Sequence, residues 1–439
     1  MSSEVSDPPG PRGLPVLGST LDLSRDVLAF FEALRDEHGR VARYDVFGTD
    51  ACMIAHPDAI QRILLDEHEA FEKGAVVTRN LADAMGEGLF VTGGDQWQNQ
   101  RTQVQPAFYR ERLCRYVPEM RSAAKETVEQ WRDGMVVDVT DTMTATTMDV
   151  LGRTLFGVDV TENPVVSEAS DAILTRFDTS RVWSFLPDRL PTPTNLRYRR
   201  KLGELRQFVD DLARQRRRQD PENRGEDLLS ILVGFVEASE LTVEELRDNM
   251  VTFLFAGHET TALGLTYTLL CLARHPDRQA DLRAEVDAVC DGRVTAVDLP
   301  ELERVERAID EALRLYPPVY MLFREATRDV TLQGYDIPAG TTLVVPQWAV
   351  HRDPAWWDDP EAFRPERFDD DADRPEYAYF PFGGGPRHCI GMRFARMEMK
   401  TVLATILDEY SVTLVSEPDP DLIASSNLEP GGPIEIDVR

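Results

Sequence analysis

The sequence predicts a mainly α-helical protein with a smaller β region. Three observations carry that expectation. Helical patterning runs through most of the chain from Pro57 to about residue 315 and returns at residues 392–406. A segment of about 33 residues beginning at Thr242 has helix signals at both ends. Strand-like stretches are confined to residues 41–55 and 330–346.

In chain order, the first 20 residues form a leader in which Pro8, Pro9, Pro11 and Pro15 alternate with glycine. Residues 41–47 and 51–55 read as a hairpin around Gly48-Thr49-Asp50, and Pro57 opens the next helix. The longest helix has Thr242 as its cap and Glu245 three residues on, a reciprocal capping box, and it stops near Arg274, before Pro276. At 1.5 Å per residue it is roughly 50 Å long. Residues 250–272 are apolar nearly all round, which would also describe a membrane span. Gly257-His258-Glu259-Thr260-Thr261 interrupts them, and charge at that depth is costly in lipid, so a helix buried through a large core is the better reading. Pro300 stands at the start of a helix at residues 301–315, and Pro317-Pro318 ends it. Short strands follow around Gly334 and Pro338-Ala339-Gly340. No linker or repeat divides residues 21–439, so a single domain is expected there.

The chain has 439 residues, 42% of them hydrophobic, and a formal charge of −29 from 77 acidic and 48 basic residues. That balance excludes an extended nucleic-acid surface, which needs clustered cations. Lysine occurs only at Lys73, Lys125, Lys201 and Lys400. Acid excess with so few lysines fits either a salt-adapted protein or one from a GC-rich genome. The five cysteines, Cys52, Cys114, Cys271, Cys290 and Cys389, lack C-x-x-C spacing, which excludes a disulfide scaffold, a zinc site and an iron–sulfur cluster. The start of the chain has neither a basic flank nor an apolar run, so no signal peptide or membrane anchor is expected, and the protein is expected to be cytoplasmic.

Four strings carry chemistry. In Phe382-Gly383-Gly384-Gly385-Pro386-Arg387-His388-Cys389-Ile390-Gly391 a cysteine follows three glycines and precedes a helix, where the helix dipole favours a thiolate. The glycines let the backbone pass close to something flat and bulky. In Ala256-Gly257-His258-Glu259-Thr260-Thr261 a carboxyl and a hydroxyl stand mid-helix in an apolar segment, where a buried acid wants a partner or a proton. Gly257 and the two threonines invite a local bulge there. His258 has no second ligand four residues away, so H-E-x-x-H is absent. Glu311 and Arg314 share a helix face, as do Trp97 and Arg101, but such pairs are common on helices and carry little alone.

In this order and spacing, the strings resemble the cytochrome P-450 family. The cysteine segment matches F-x-x-G-x-x-x-C-x-G, residues 256–261 match A/G-G-x-D/E-T-T, Glu311 and Arg314 match E-x-x-R with Pro365-Glu366-Arg367-Phe368 downstream, and Trp97 to Arg101 matches W-x-x-x-R. The leader Pro8-Pro9-Gly10-Pro11-Arg12-Gly13-Leu14-Pro15 is also typical, and the resemblance extends from Pro8 to Gly432. The forms of the motifs look more like soluble microbial relatives of the fatty-acid and microsomal enzymes than like camphor-type ones.

The resemblance implies a P-450 fold with haem b between the long central helix and the cysteine loop. Cys389 is then the axial thiolate, which favours O–O cleavage. Trp97, Arg101, Arg324 and Arg387 hold propionates, and Ala256, Gly257, Phe382, Ile390 and Gly391 lie at the cofactor. Glu259 and Thr260 deliver protons to dioxygen. Glu311, Arg314 and Arg367 form a buried structural network. The distal pocket falls to Leu89, Phe90, Phe253, Ala256, Val319, Met321, Leu322 and Leu428, all apolar, so the implied substrate resembles a fatty acid or terpenoid. The implied reaction inserts one oxygen atom of dioxygen into a C–H bond. A peroxide-driven hydroxylase would carry an arginine in place of the acid–alcohol pair, and a haem-thiolate sensor would need no such pair. No flavin or iron–sulfur segment follows Gly391, so electrons are expected from a ferredoxin or similar protein. Arg101, Arg110, Arg112, Arg115, Arg121 and Lys125, with Arg387, Arg393, Arg396 and Lys400, are the cations expected to receive it.

Overall fold

The computed structural model describes residues 6–14, 17–74, 85–159, 163–177, 190–369 and 374–439; Pro15 of the leader lies outside them. The chain forms two compact units, each assembled from separated stretches: Met1–Asn80 with Glu311–Cys389, and Leu81–Asp310 with Ile390–Arg439.

The first unit is built on a five-stranded sheet in the order Val41–Val46, Thr49–Ile54, Thr342–Val345, Leu322–Ala326, Phe71–Glu72. Thr49–Ile54 and Thr342–Val345 run parallel, and the other neighbours are antiparallel. Phe31, Leu34, Ile54, Ile60 and Leu343 belong to its core. The first hairpin turns one residue earlier than the sequence suggests. Val46 pairs with Thr49, and the two turn residues are Phe47 and Gly48, with φ of 52° and 77°. Two positive φ values make the tight turn that matches strand twist. Asp45 anchors it by accepting from the Gly48 N–H at 2.9 Å, and Thr49 and Asp50 go into the strand. The expected strands near Gly334 are Val330–Leu332 and Tyr335–Ile337, joined through Gln333 and Gly334 with φ of 50° and 83°.

The second unit is mainly helical. Its longest helix, Val243–Arg274, has the capping box that the sequence predicts: the Glu245 N–H donates to Thr242 Oγ1 at 3.1 Å and the Thr242 N–H to Glu245 Oε2 at 2.9 Å. It packs against Val139–Leu151, Pro193–Arg217, Leu228–Glu237 and Met392–Glu409. No helix among the described residues is long and apolar enough to cross a membrane.

Two expectations are corrected. The long helix stays α-helical through Gly257, without the bulge. The Thr260 and Thr261 hydroxyls donate to the carbonyls of Ala256 and Gly257, each at 2.9 Å, as second donors beside an α-helical ladder that stays unbroken. Gly257 serves packing, because a Cβ there would come within 2.9 Å of Leu151 Cδ1. The helix expected at 301–315 begins later. Pro300 lies in a 3₁₀ turn, Leu299–Glu301, and the α-helix is Glu303–Leu315. Glu285 fixes that start by accepting from the N–H groups of Arg304 and Val305 at 2.9 and 3.0 Å. Two small sheets complete the unit, Met135–Asp138 with Glu435–Val438 and Val412–Leu414, and the hairpin Leu422–Ala424 with Leu428–Pro430.

Candidate active site

In the first unit, Cys389 is exposed, whereas Cys52, Cys271 and Cys290 are buried and Cys114 is half-buried. The loop before it is fixed from below. A Cβ on Gly384 would overlap the Tyr377 ring, and one on Gly385, whose φ is 63°, would overlap the Leu64 carbonyl. His351 Nε2 accepts from the Phe380 N–H at 3.1 Å, and the Gln347 amide donates to the Phe380 carbonyl. Burial first, then Arg314 and Arg352, push the His351 imidazole well below its usual range, which keeps it the neutral acceptor that this bond needs. The Cys389 N–H then donates back to the Phe382 carbonyl at 2.9 Å, closing the loop. From Cys389 the chain passes through Ile390 and the cap residue Gly391 into Met392–Glu409.

Arg324 lies buried on strand Leu322–Ala326, and its Nη1 donates to the Phe323 carbonyl at 2.7 Å. Burial, then the charge of Arg387, push its guanidinium down to about 10. Burial also lowers Arg387, against the pull of Glu72. Arg324 makes no ion pair among the described residues. Two desolvated, mutually repelling guanidiniums are a donor set suited to bound carboxylates, and haem carries two. The residues present therefore fit the group that the sequence implies.

Glu311 is fully buried and saturated. Arg314 donates to both its oxygens at 2.7 and 2.8 Å, Arg367 Nε donates at 3.0 Å, and the Arg364 N–H donates at 2.9 Å. Arg314 also donates to the carbonyls of His351 and Pro360 at 2.9 and 2.7 Å. Val319, Met321 and Leu322 are half-buried, and the last two pack on the unit's core.

In the second unit, Ala256 is exposed mid-helix, and Gly257, Glu259 and Thr260 are half-buried, whereas residues 261–273 are all buried. One face of the long helix therefore opens at the motif. His258 points the other way, buried, with Nδ1 at 2.9 Å from the Leu254 carbonyl and Nε2 at 3.1 Å from Ser170 Oγ; it is a packing residue. Glu259 accepts from Asn427 Nδ2 at 2.6 Å. Burial, then the neighbouring carboxylate Glu429, push its carboxyl up to about 8, and the Asn427 bond acts in the opposite direction. Asn427 carries no sequence signal for this contact, since it lies 168 residues away in a short turn.

Leu89, Phe253 and Leu428 are buried and Phe90 is half-buried. The Leu89 N–H donates to Asn249 Oδ1 at 2.9 Å, and the Phe253 ring packs against Phe108 at 5.6 Å. Trp97 and Arg101 are both buried on helix Gly94–Val104. The expected cation patch is only partly available. Arg396 pairs with Asp310 at 2.6 Å and Glu306 at 3.3 Å, Lys400 is buried against Glu306 at 2.8 Å, and Arg115 pairs with Glu226. Arg110, Arg112 and Arg393 are exposed and make no ion pair among the described residues.

Comparison with known proteins agrees with these features. The family model for cytochrome P-450 matches residues 8–434. The chain is 36% identical to pentalenene oxygenase of Streptomyces avermitilis over 422 residues, 94% of this chain and 92% of that protein. It is 35% identical to cyclooctat-9-en-7-ol 5-monooxygenase of Streptomyces melanosporofaciens, over 91% of this chain and 88% of that one. Among solved structures, the cyanobacterial CYP120A1 with retinoic acid bound superposes with a TM-score of 0.88 at 28% identity, covering 99% of both chains. The chain belongs to the cytochrome P-450 family, and it is a haem b-dependent monooxygenase that draws its electrons from a redox partner.

Proposed function

We propose that the protein hydroxylates an unactivated C–H bond of a terpenoid-like hydrocarbon. One observation carries this reading: the side chains implied for the pocket are all apolar, and the acid and hydroxyl of Glu259 and Thr260 stand beside the exposed Ala256 on the long helix. Such a lining gives a substrate shape and desolvation but no charge to hold. The relatives from Streptomyces, named for pentalenene and cyclooctat-9-en-7-ol, support a terpenoid skeleton over a fatty acid.

Bound haem supplies the oxygen and redox chemistry. The protein supplies four things. Cys389 offers a thiolate from a rigid loop. Arg324 and Arg387 would neutralise propionates, and the resemblance implies Trp97 and Arg101 as further donors. Glu259, protonated at neutral pH, gives up a proton, and the Thr260 hydroxyl passes it toward dioxygen. The apolar residues exclude competing water. We read the electron donor as a ferredoxin-like protein and the compartment as the cytoplasm.

Titration of the holoenzyme with terpenoids, fatty acids and steroids, read at the Soret band, followed by product analysis with NADH, a reductase and a ferredoxin, tests this. Terpenoid binding with a hydroxylated product is expected. Response to fatty acids alone, or equal turnover with peroxide replacing the electron donor, would overturn it.

A further inference from the structure

Glu259 does not stand alone on its helix. The hairpin of strands Leu422–Ala424 and Leu428–Pro430 reaches it at the turn, where Asn427 Nδ2 donates to Glu259 Oε2 at 2.6 Å. The turn is ordered from within. The Ser425 N–H donates to the Asn427 carbonyl at 2.9 Å, and the Ser425 hydroxyl donates to the Glu429 carboxylate. The hairpin is tied to the same helix a second time, because Tyr267 Oη donates to the Leu428 carbonyl at 2.9 Å. Asn427 and Ser425 are each only 7% exposed, and Leu428 is fully buried. A flexible carboxyl on a helix face would sample several rotamers, whereas one donor fixed on two anchored strands selects a single rotamer.

We propose that Asn427 and Glu429 form a holder for Glu259: Asn427 is a positioning residue that aims its carboxyl, and Glu429 is the neighbouring charge that sets when it gives up its proton. The proposal rests on the reading of Glu259 as proton donor, but the holder is a distinct claim about this hairpin. Asn427 donates, so it favours the ionised carboxylate; Glu429 is a like charge, so it favours the protonated acid. Beyond burial, Glu429 is the charged neighbour that raises the Glu259 carboxyl. Leu428, between the two, is also implied to face substrate, so movement of the hairpin on binding would reach Glu259 through one residue.

The test is infrared titration of the carboxylic-acid C=O band of the holoenzyme, assigned by its absence in Glu259→Gln. Product yield per electron is followed in parallel. The wild-type midpoint is expected near about 8. Glu429→Gln should lower the midpoint by about one pH unit, and Asn427→Ala should raise it by a similar amount. These opposite shifts separate the holder from general loosening of the hairpin, which would move both variants the same way. If Asn427→Ala fails to fold, Asn427→Asp, which keeps the shape but replaces the donor with an acceptor, takes its place and should likewise raise the midpoint. Midpoints that stay put or move together would overturn the proposal. Opposite shifts with unchanged product yield in Glu259→Gln would leave the holder standing and sink the proton-donor reading.

Discussion

Two glutamates, each on a helix, are treated in opposite ways. Glu311 in the first unit receives four donors, three of them from guanidiniums, and is 0% exposed. Glu259 in the second unit receives one amide donor, keeps a like charge as neighbour, and sits on an open helix face. Saturation fixes a charge and its surroundings, so Glu311 organises backbone carbonyls from His351 to Ala362 through Arg314. Under-saturation leaves a proton to move. The difference identifies which acid holds the fold and which one is suited to chemistry, with no reference to position in the chain.

The largest loss is expected from Glu311→Ala. Arg314 and Arg367 would be left buried without a carboxylate, which costs roughly 3–5 kcal/mol. The expected outcome is failure to retain haem, read as loss of Soret absorbance and an early urea midpoint. A well-folded, haem-loaded variant would show that the cluster is dispensable. Glu259→Gln should do the reverse. It should still fold and retain haem, while hydroxylation slows by roughly 10²–10⁴, the usual worth of a positioned acid–base group. Thr260→Ala should likewise keep fold and cofactor and should divert electrons to peroxide, read as hydrogen peroxide formed per NADH consumed.

The same contrast has a pH signature. Because the folded Glu259 holds its proton up to about 8 while the unfolded carboxyl releases it near 4.5, the folded state binds the extra proton between those values. Stability from this group is therefore lost as pH rises through that window. Wild type should lose stability relative to Glu259→Gln between about pH 5 and 8, read as converging or crossing urea midpoints. Product yield should fall above about 8 in wild type, and that alkaline limb should be absent in Glu259→Gln. Parallel profiles would mean that the carboxyl is ionised throughout.

Sequence legibility followed locality. The capping box at Thr242 and Glu245 and the strands near Gly334 depend on neighbours within a few residues, and they were readable. The first hairpin turns one residue before the place its pattern suggests, because Phe47 takes a positive φ that a large side chain rarely adopts. Met135–Asp138 carries no strong pattern of its own and is a strand only because Glu435–Val438 pairs with it across some 300 residues. At the site, the motif residues announced themselves, but their partners did not. Asn427 is an ordinary turn residue until the fold brings it to Glu259, and Glu306 and Asp310 give no sign that they bind Arg396 and Lys400.

The same contrast between satisfied and free charge holds for cations, where the expected effects are smaller. Helices Val117–Val128 and Met392–Glu409 pack together, so the two basic segments do share one region of the second unit. Within it Arg396 and Lys400 are satisfied, whereas Arg112 and Arg393 are exposed and unpaired among the described residues. A docking protein with an acidic face would be steered by the second pair. Arg112→Glu with Arg393→Glu should slow haem reduction by a ferredoxin roughly tenfold at low salt, with the difference shrinking as the Debye length falls to about 8 Å at physiological ionic strength. Arg396→Glu should lower stability by about 1 kcal/mol, because Glu306 and Asp310 lose their counter-charge and gain a like one. Stopped-flow reduction and urea unfolding on the same variants separate the outcomes. If Arg396→Glu slows reduction as much as the double variant while leaving stability alone, the ion pairs open on docking, and saturation does not mark a structural charge on this surface.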